Sequence, residues 1–141
     1  MAEFSIIETY FNRAHQHSVD LGVGDDSALL TPPPQQQLVI CTDTLIAGRH
    51  FPLDTPAHAI GWKSVAVNLS DIAAMGAKPQ SILLALSLPQ IDHNWLKDFS
   101  QGLYDCCDQF GVSLIGGGYH PKPTSHHFCD CPRLDQYQPS C

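Results

Sequence analysis

The chain has 141 residues, a length typical of one compact domain of roughly 100–200 residues. Hydrophobic residues make up 43% and charged residues 15%, a composition that builds a buried core and excludes an intrinsically disordered chain. Seven Lys and Arg against 14 Asp and Glu give a net charge of −7, which excludes a basic surface for nucleic acid or for an anionic membrane.

The first part of the chain predicts one helix and two strands. Residues 5–8 read SIIE, the pattern of a capping box, and apolar residues follow at helical spacing as far as Ala14, which predicts a short amphipathic helix. Residues 27–31 and 38–44 are predicted strands, separated by PPPQQQ at 32–37, a run that continues neither of them. We expect the two strands to pair as a hairpin with a long loop.

A second helix and a buried strand come next. Thr55 and Pro56 supply an N-cap and a first-turn proline for a helix that we expect to reach about Met75, before Gly76 ends it. The aliphatic run at 81–88 is bounded by prolines on both sides, which is typical of a buried strand.

A third helix and a last strand complete this order. Asp92 caps a predicted helix that extends to about Gln109, and Gly111 ends it. Residues 112–115 form the last predicted strand, which we expect to end at Gly116 and Gly117. The order α-β-β-α-β-α-β predicts an α+β domain with a mixed sheet and helices packed on one face.

Composition changes abruptly after Gly117. Residues 118–141 contain one aliphatic residue, Leu134, beside four of the 11 prolines, three of the six cysteines and three of the eight histidines. Such a segment cannot bury enough apolar area to offset the entropy lost on ordering. We therefore expect a folded domain at 1–117 and a disordered tail at 118–141.

Out-of-frame translation explains this tail better than a metal site. Four tail residues that could bind zinc lack the usual C-x2-4-C and H-x3-5-H spacing: His126, His127, Cys129 and Cys131. A disulfide framework is equally weak in a chain without a secretion signal. Back-translation read one base later can give Gly-Gly-Asp-Thr-Thr and then alternating β-branched residues, which is typical of a turn and a strand. We interpret 118–141 as translation after a one-base shift near codon 118; a genuine disordered tail is the alternative.

Two motifs place carboxylates in turns or at element ends, where side chains can converge. The first is GDDSA at 24–28, where paired aspartates either bind metal or form a solvated turn. The second is CTDT at 41–44, which ends an apolar strand. A Thr hydroxyl, a backbone carbonyl and a carboxylate together suit Mg²⁺, although an Asp there can also be a simple cap.

The third motif lies inside an apolar helix. Asn68 and Asp71 are three residues apart and share one helical face. A carboxylate in so apolar a segment costs free energy unless it is paired or bound to a cation. The alternative is a polar side chain that bonds the nearby backbone.

In this order and spacing the motifs resemble the N-terminal half of the bacterial thiamine-monophosphate kinases, over about residues 4–117. The resemblance rests on GDDSA at 24–28, TDTLIAGRHF at 42–51, GWKSVAVNLSDIAAMGA at 61–77 and LIGG at 114–117. The AGRHF segment at 47–51 favours this branch within a wider superfamily that includes aminoimidazole-ribonucleotide synthetase and selenophosphate synthetase.

The resemblance implies the N-terminal domain of the aminoimidazole-ribonucleotide-synthetase-like fold, a homodimer, and transfer of the γ-phosphoryl group of ATP to thiamine monophosphate. It also implies several Mg²⁺ ions, a substrate contact at His50 and a nucleotide-contacting loop that includes Gly117. The implied metal ligands are Asp26, Cys41, Thr42, Asp43 and Asp71.

Two positions depart from the family pattern. Cys41 stands where Ser or Thr is usual, which leaves its backbone carbonyl as the candidate ligand atom. Gly118 stands where an aspartate metal ligand is usual, and the shifted reading frame can restore an Asp there.

Phosphoryl transfer between two anions suits this composition. The acceptor phosphate is already ionised at pH 7, so charge neutralisation by Mg²⁺ and in-line positioning matter more than a strong general base. No G-x-x-x-x-G-K-[ST] motif is present, so we expect metals rather than a P-loop to hold the phosphates.

We expect the 141 residues to have little or no kinase activity, because the family's second domain is not in this sequence. Other superfamily synthetases and a non-catalytic Mg²⁺–nucleotide-binding or dimerisation module are the alternatives. The chain contains no apolar run of the roughly 20 residues that a membrane span needs and no signal peptide, so we expect a cytoplasmic location.

Overall fold

The computed structural model describes residues 2–14 and 19–121. Helix α1 is followed by one π-helical turn, and two longer helices and two strands come later in the chain. Their bounds are α1 Ala2–Ile6, the π turn Ile7–Phe11, α2 Ala57–Ala74, β1 Ser81–Leu88, α3 His93–Phe110 and β2 Ser113–Pro121. No helix in these ranges is long and apolar enough to cross a membrane. The tail beyond residue 121, with its zinc candidates, lies outside the described residues.

Strands β1 and β2 form a parallel pair, with α3 as the connection that a parallel pair requires. Ser81 pairs with Ser113 and Leu88 pairs with Pro121, with one irregularity after Ile82. Along β1, half-buried and exposed side chains alternate, and Leu83 is 69% exposed. One face of β1 therefore packs on the helices, and its other face is open, whereas Ser113, Leu114 and Ile115 of β2 are all buried.

The core lies between the α2–α3 pair and the inner face of the sheet. Leu96, Phe99 and Leu103 form the buried stripe of α3, at the three- and four-residue spacing of an amphipathic helix. Val65 of α2 and Ile6 of α1 are buried in the same cluster. Both long helices and the N-terminal helix thus share one core.

Helices α2 and α3 touch backbone to backbone at two glycines. A Cβ added to Gly102 would overlap the backbone oxygen of His58, and one added to Gly61 would overlap that of Phe99. These contacts leave no room for any side chain at either glycine.

The α+β class is confirmed, with helices against a small parallel sheet. Of the predicted mixed sheet, the described residues form only this parallel pair. The predictions of α2, β1 and α3 are confirmed to within two residues at each end. Asp92 Oδ1 accepts hydrogen bonds from the backbone N–H groups of Asn94 and Trp95, as an N-cap should.

The predicted hairpin is wrong. Residues 38–44 form no strand, and the 27–31 region contributes one isolated antiparallel bridge between Leu21 and Leu29. Ile40 is 79% exposed. Strands are stabilised by cross-strand neighbours, and among the described residues this segment has no strand to pair with.

The first helix and the last strand also differ from their predicted bounds. Helix α1 begins at Ala2, so Ser5 lies inside it, where its carbonyl accepts from the Thr9 hydroxyl at 2.6 Å, and the predicted capping box does not form. Strand β2 continues to Pro121 instead of ending at Gly117, because its backbone pairs with β1 up to Leu88.

We expect Gly102→Ala to lower the free energy of unfolding by at least about 2 kcal/mol. The methyl group forces the helices apart, and overpacking of this kind exceeds the gain of about 1 kcal/mol in helix propensity. Urea denaturation followed by circular dichroism measures the change. Ser70→Ala, at an exposed site of α2, is the control and should stay within about 0.5 kcal/mol; equal stability of Gly102→Ala and the parent would contradict the packing.

The pH dependence of stability should report the pairing of Asp105 across the same two helices. Its carboxylate lies 2.7 Å from His58 Nε2 and accepts from Gln101 at 2.7 Å, and these hydrogen bonds lower the pKa of Asp105. A lowered folded pKa adds stability above the unfolded pKa of about 3.9, and this stability is lost as the pH falls through the folded pKa.

Asp105→Asn should therefore destabilise the protein at pH 6 and have a smaller effect near pH 3. Thermal unfolding at the two pH values measures this difference. Asp98→Asn, an exposed site on the same helix, is the matched control. An Asp105→Asn effect of the same size at both pH values would argue against the pairing.

Candidate functional site

Helix α2 presents Asn68 toward the segment that contains Cys41. The Asn68 amide Nδ2 donates to the Ser64 carbonyl at 3.1 Å, which fixes the side chain along the helix. The Cys41 thiol lies 3.5 Å from the Asn68 carbonyl oxygen and 3.7 Å from Asn68 Oδ1. Asn68 thus bonds its own helix, as the simpler alternative predicts, and also holds a second segment against that helix.

Two carboxylates affect the pKa of this thiol. Burial, then Asp71 and then Asp43 raise the pKa of Cys41. A raised pKa keeps the thiol protonated at neutral pH, which allows it to donate to Asn68. Cys41, Asp43, Asn68 and Asp71 are called the Cys41 cluster below.

The donor atoms of the Cys41 cluster suit a hard cation. Asp43 and Asp71 are exposed, and Asp43 Oδ1 accepts from the Thr44 N–H at 2.8 Å. Carboxylate and amide oxygens are typical Mg²⁺ ligands, whereas a protonated thiol is not. In the part of the chain that the structure describes, no three His, Cys, Asp or Glu side chains are grouped closely enough to hold a metal.

Asp26 lies in a different turn. The isolated bridge between Leu21 and Leu29 closes this turn, and the Asp26 N–H donates to Asp25 Oδ1 at 2.8 Å. No hydrogen bond or ion pair among the described residues joins Asp26 to the Cys41 cluster. The structure therefore brings together the second and third motifs but not the first.

His50 lies in a tight turn at residues 46–51, the His50 turn. The His50 N–H donates to the Ile46 carbonyl at 2.9 Å, and the Ile46 N–H donates to His50 Nδ1 at 2.9 Å. Lys63 Nζ of α2 donates to the His50 carbonyl at 2.7 Å. Because Lys63 and Asn68 are five residues apart, the His50 turn and the Cys41 cluster attach to α2 about 7.5 Å apart along its axis.

Gly117 lies inside β2, opposite Leu84, and not in the predicted turn. Its φ is 141°, and a Cβ there would overlap the Leu84 carbonyl oxygen. Strand packing alone therefore requires a glycine here, whatever else the position contacts.

Sequence reasoning gave no role to Lys63. It lies inside the GWKS segment of the third motif, but a lysine in a helix ordinarily indicates a solvated face. Its bond joins residues 13 positions apart, so the sequence carried no local signal for it.

Comparison with known families gives one extended match. Residues 24–129 match the family model described as AIR synthase related protein, N-terminal domain. The match covers well over half of the chain and extends past Gly117.

Several curated relatives are thiamine-monophosphate kinases. The chain is 48% identical over 125 residues to the thiamine-monophosphate kinase of Escherichia coli K12, a match over 87% of this chain and 38% of that protein. It is 51% identical over 104 residues to the thiamine-monophosphate kinase of Synechococcus elongatus, over 72% of this chain and 32% of that protein.

A solved structure agrees with these matches. The crystal structure of thiamine-monophosphate kinase from Stenotrophomonas maltophilia K279a has a TM-score of 0.69 and 46% identity, covering 84% of this chain and 37% of that one. The chain thus spans less than two fifths of the length of these relatives. By the extent of the family match, the chain belongs to the AIR synthase related proteins, through their N-terminal domain.

Proposed function

We propose that this chain is the Mg²⁺- and ATP-binding part of an ATP-dependent phosphotransferase that converts thiamine monophosphate to thiamine diphosphate in the cytoplasm. The observation that carries the proposal is the contact of Cys41 with Asn68, which brings the segment that contains Asp43 against α2, three residues before Asp71. The similarity to proteins named thiamine-monophosphate kinase supports the choice of substrate.

The carboxylates of Asp43 and Asp71 would hold Mg²⁺, with oxygens from Thr42 and from the Cys41 backbone. Asp26 is a further proposed ligand, supplied by the first motif. When bound, Mg²⁺ neutralises the repulsion between the phosphates of ATP and of the acceptor. The Cys41 side chain takes no part in metal binding under this proposal, because its proton is directed to Asn68.

Substrate and nucleotide contacts are proposed at two further positions. His50 is exposed in a turn anchored to the same helix as Asn68, which suits a contact with thiamine monophosphate. Gly117 is an exposed residue of β2 and lacks a side chain that would keep a nucleotide from its backbone. A homodimer that covers the open face of β1 completes the proposal.

The out-of-frame origin of residues 118–141 is also part of the proposal. Strand β2 continues to Pro121 and so includes the first four residues of the tail. The hydrogen bonds of a parallel pair are made by main-chain atoms, so this pairing does not require the side chains of the original reading frame. Sequencing the source DNA across codons 115–120 tests this idea. Absence of the extra base would identify the tail as an artefact, and its presence would identify a broken or programmed shift.

Metal binding can be tested directly on this chain. Mn²⁺, used as a spectroscopic substitute for Mg²⁺, should bind the parent, and Asp71→Asn should weaken its affinity at least about tenfold, since even indirect partners of a metal often contribute that much. Electron paramagnetic resonance of free Mn²⁺ measures the affinity. Asp54→Asn, an exposed carboxylate outside the cluster, is the control; equal affinity of Asp71→Asn and the parent would remove Asp71 from the site.

Turnover should be low in the 141-residue chain even if binding is intact. These residues span 38% of the E. coli relative, so groups from the remainder of such a protein are needed to position both substrates. Phosphorus NMR of thiamine monophosphate with Mg²⁺ and ATP measures the reaction. Rapid conversion by this chain would contradict the expectation, and Mg²⁺-dependent ATP binding without turnover by the frame-restored full-length protein would favour the non-catalytic module.

A further inference from the structure

We infer that Lys63 is a positioning residue that locks His50 in the tautomer with its proton on Nε2, so that the imidazole offers substrate a hydrogen-bond donor and not an acceptor. The substrate part of this inference rests on the proposed function. The tautomer and the role of Lys63 rest on the bonds of the His50 turn alone.

The tautomer follows from the bond between Ile46 and His50. A backbone N–H is always a donor, so the atom that it meets at 2.9 Å, His50 Nδ1, must be unprotonated. In a neutral imidazole the proton then resides on Nε2. No hydrogen bond from a described residue reaches Nε2, which leaves this N–H for a ligand.

The backbone of the turn reinforces this bond. Ile46 and His50 bond each other in both directions, N–H to carbonyl and N–H to imidazole. Gly48 N–H also donates to the Phe51 carbonyl at 2.8 Å, and Gly48 has φ 77°, a conformation that glycine adopts without strain. The imidazole orientation is thus coupled to the closure of the whole turn.

Lys63 connects this turn to the rigid part of the molecule. Its ammonium group donates to the His50 carbonyl at 2.7 Å, and Lys63 is two residues from Gly61, where α2 contacts α3. Phe51, at the end of the turn, also packs against the core that includes α2, but the Lys63 bond is the contact made at His50 itself. Without it, the turn and the Ile46–His50 bond should open more often.

A hydrogen-bond donor at Nε2 requires an acceptor atom on the ligand. A phosphate oxygen and an unprotonated ring nitrogen are both acceptors, and thiamine monophosphate contains both. A protonated amine or a hydroxyl hydrogen finds no acceptor on this imidazole. His50 would therefore orient the substrate by donating to it, with no proton transfer to or from the ring.

Long-range ¹H–¹⁵N NMR of the ¹⁵N-histidine-labelled chain at pH 8 tests this inference, because an ordinary histidine is neutral at that pH. His50 should show the two separate nitrogen shifts of a single Nε2–H tautomer. Lys63→Met should move the two shifts toward each other and speed exchange of the Ile46 amide about fivefold, the loss expected for one hydrogen bond. Lys63→Arg should restore most of the parent pattern.

Lys78→Met, an exposed lysine just after α2, is the matched control and should leave His50 unchanged. A mixture of tautomers in the parent, or the same His50 shifts in Lys63→Met as in the parent, would overturn the inference. Addition of thiamine monophosphate should shift His50 Nε2. If it does not while the tautomer and the Lys63 effect are found, the proposed substrate contact fails and the positioning role of Lys63 is retained.

Discussion

The backbone contact between α2 and α3 is the constraint on which the rest of the structure depends. Gly61 and Gly102 let each helix approach the other closely enough to touch main-chain oxygens. This approach buries Val65 of α2 against the α3 stripe and so fixes the rotation of α2 about its axis. The polar residues of α2 are left at its edge and outer side, where they meet the Cys41 segment and the His50 turn.

The elements that the sequence predicts well carry their signals locally. Asp92 and Gly111 mark both ends of α3, and two prolines bound the aliphatic run of β1, so neither element needed knowledge of a distant partner. The hairpin failed for the opposite reason. An apolar run such as the one that begins 38–44 indicates a strand only if another strand lies beside it, and no described strand pairs with this segment.

The candidate site likewise contains some features with a local sequence signal and others that depend on distant segments. Asp43 and Asp71 stand out in the sequence because one follows an apolar run and the other lies inside an apolar helix, but both are exposed in the structure. The cost of burial therefore does not apply to them, and their role as ligands stays a prediction. The neutral state of the Cys41 thiol and the bond from Lys63 to His50 depend on segments far apart in the chain. Both are products of tertiary packing, which the order of residues does not specify directly. Gly117 is a case in which the sequence motif indicated a ligand contact. The structure gives a second reason for the glycine, because a side chain there would overlap the backbone of β1.

The parallel arrangement of β1 and β2 sets an order of assembly. The two strands can meet only after the connection through α3 has closed, which makes their contact non-local and slow to form. During synthesis β2 is the last described element to leave the ribosome. Until then the inner face of β1 and the apolar stripe of α3 have only each other, α2 and the N-terminal helical segment to cover them. The final residues of β2 therefore decide when this core is shielded from other chains.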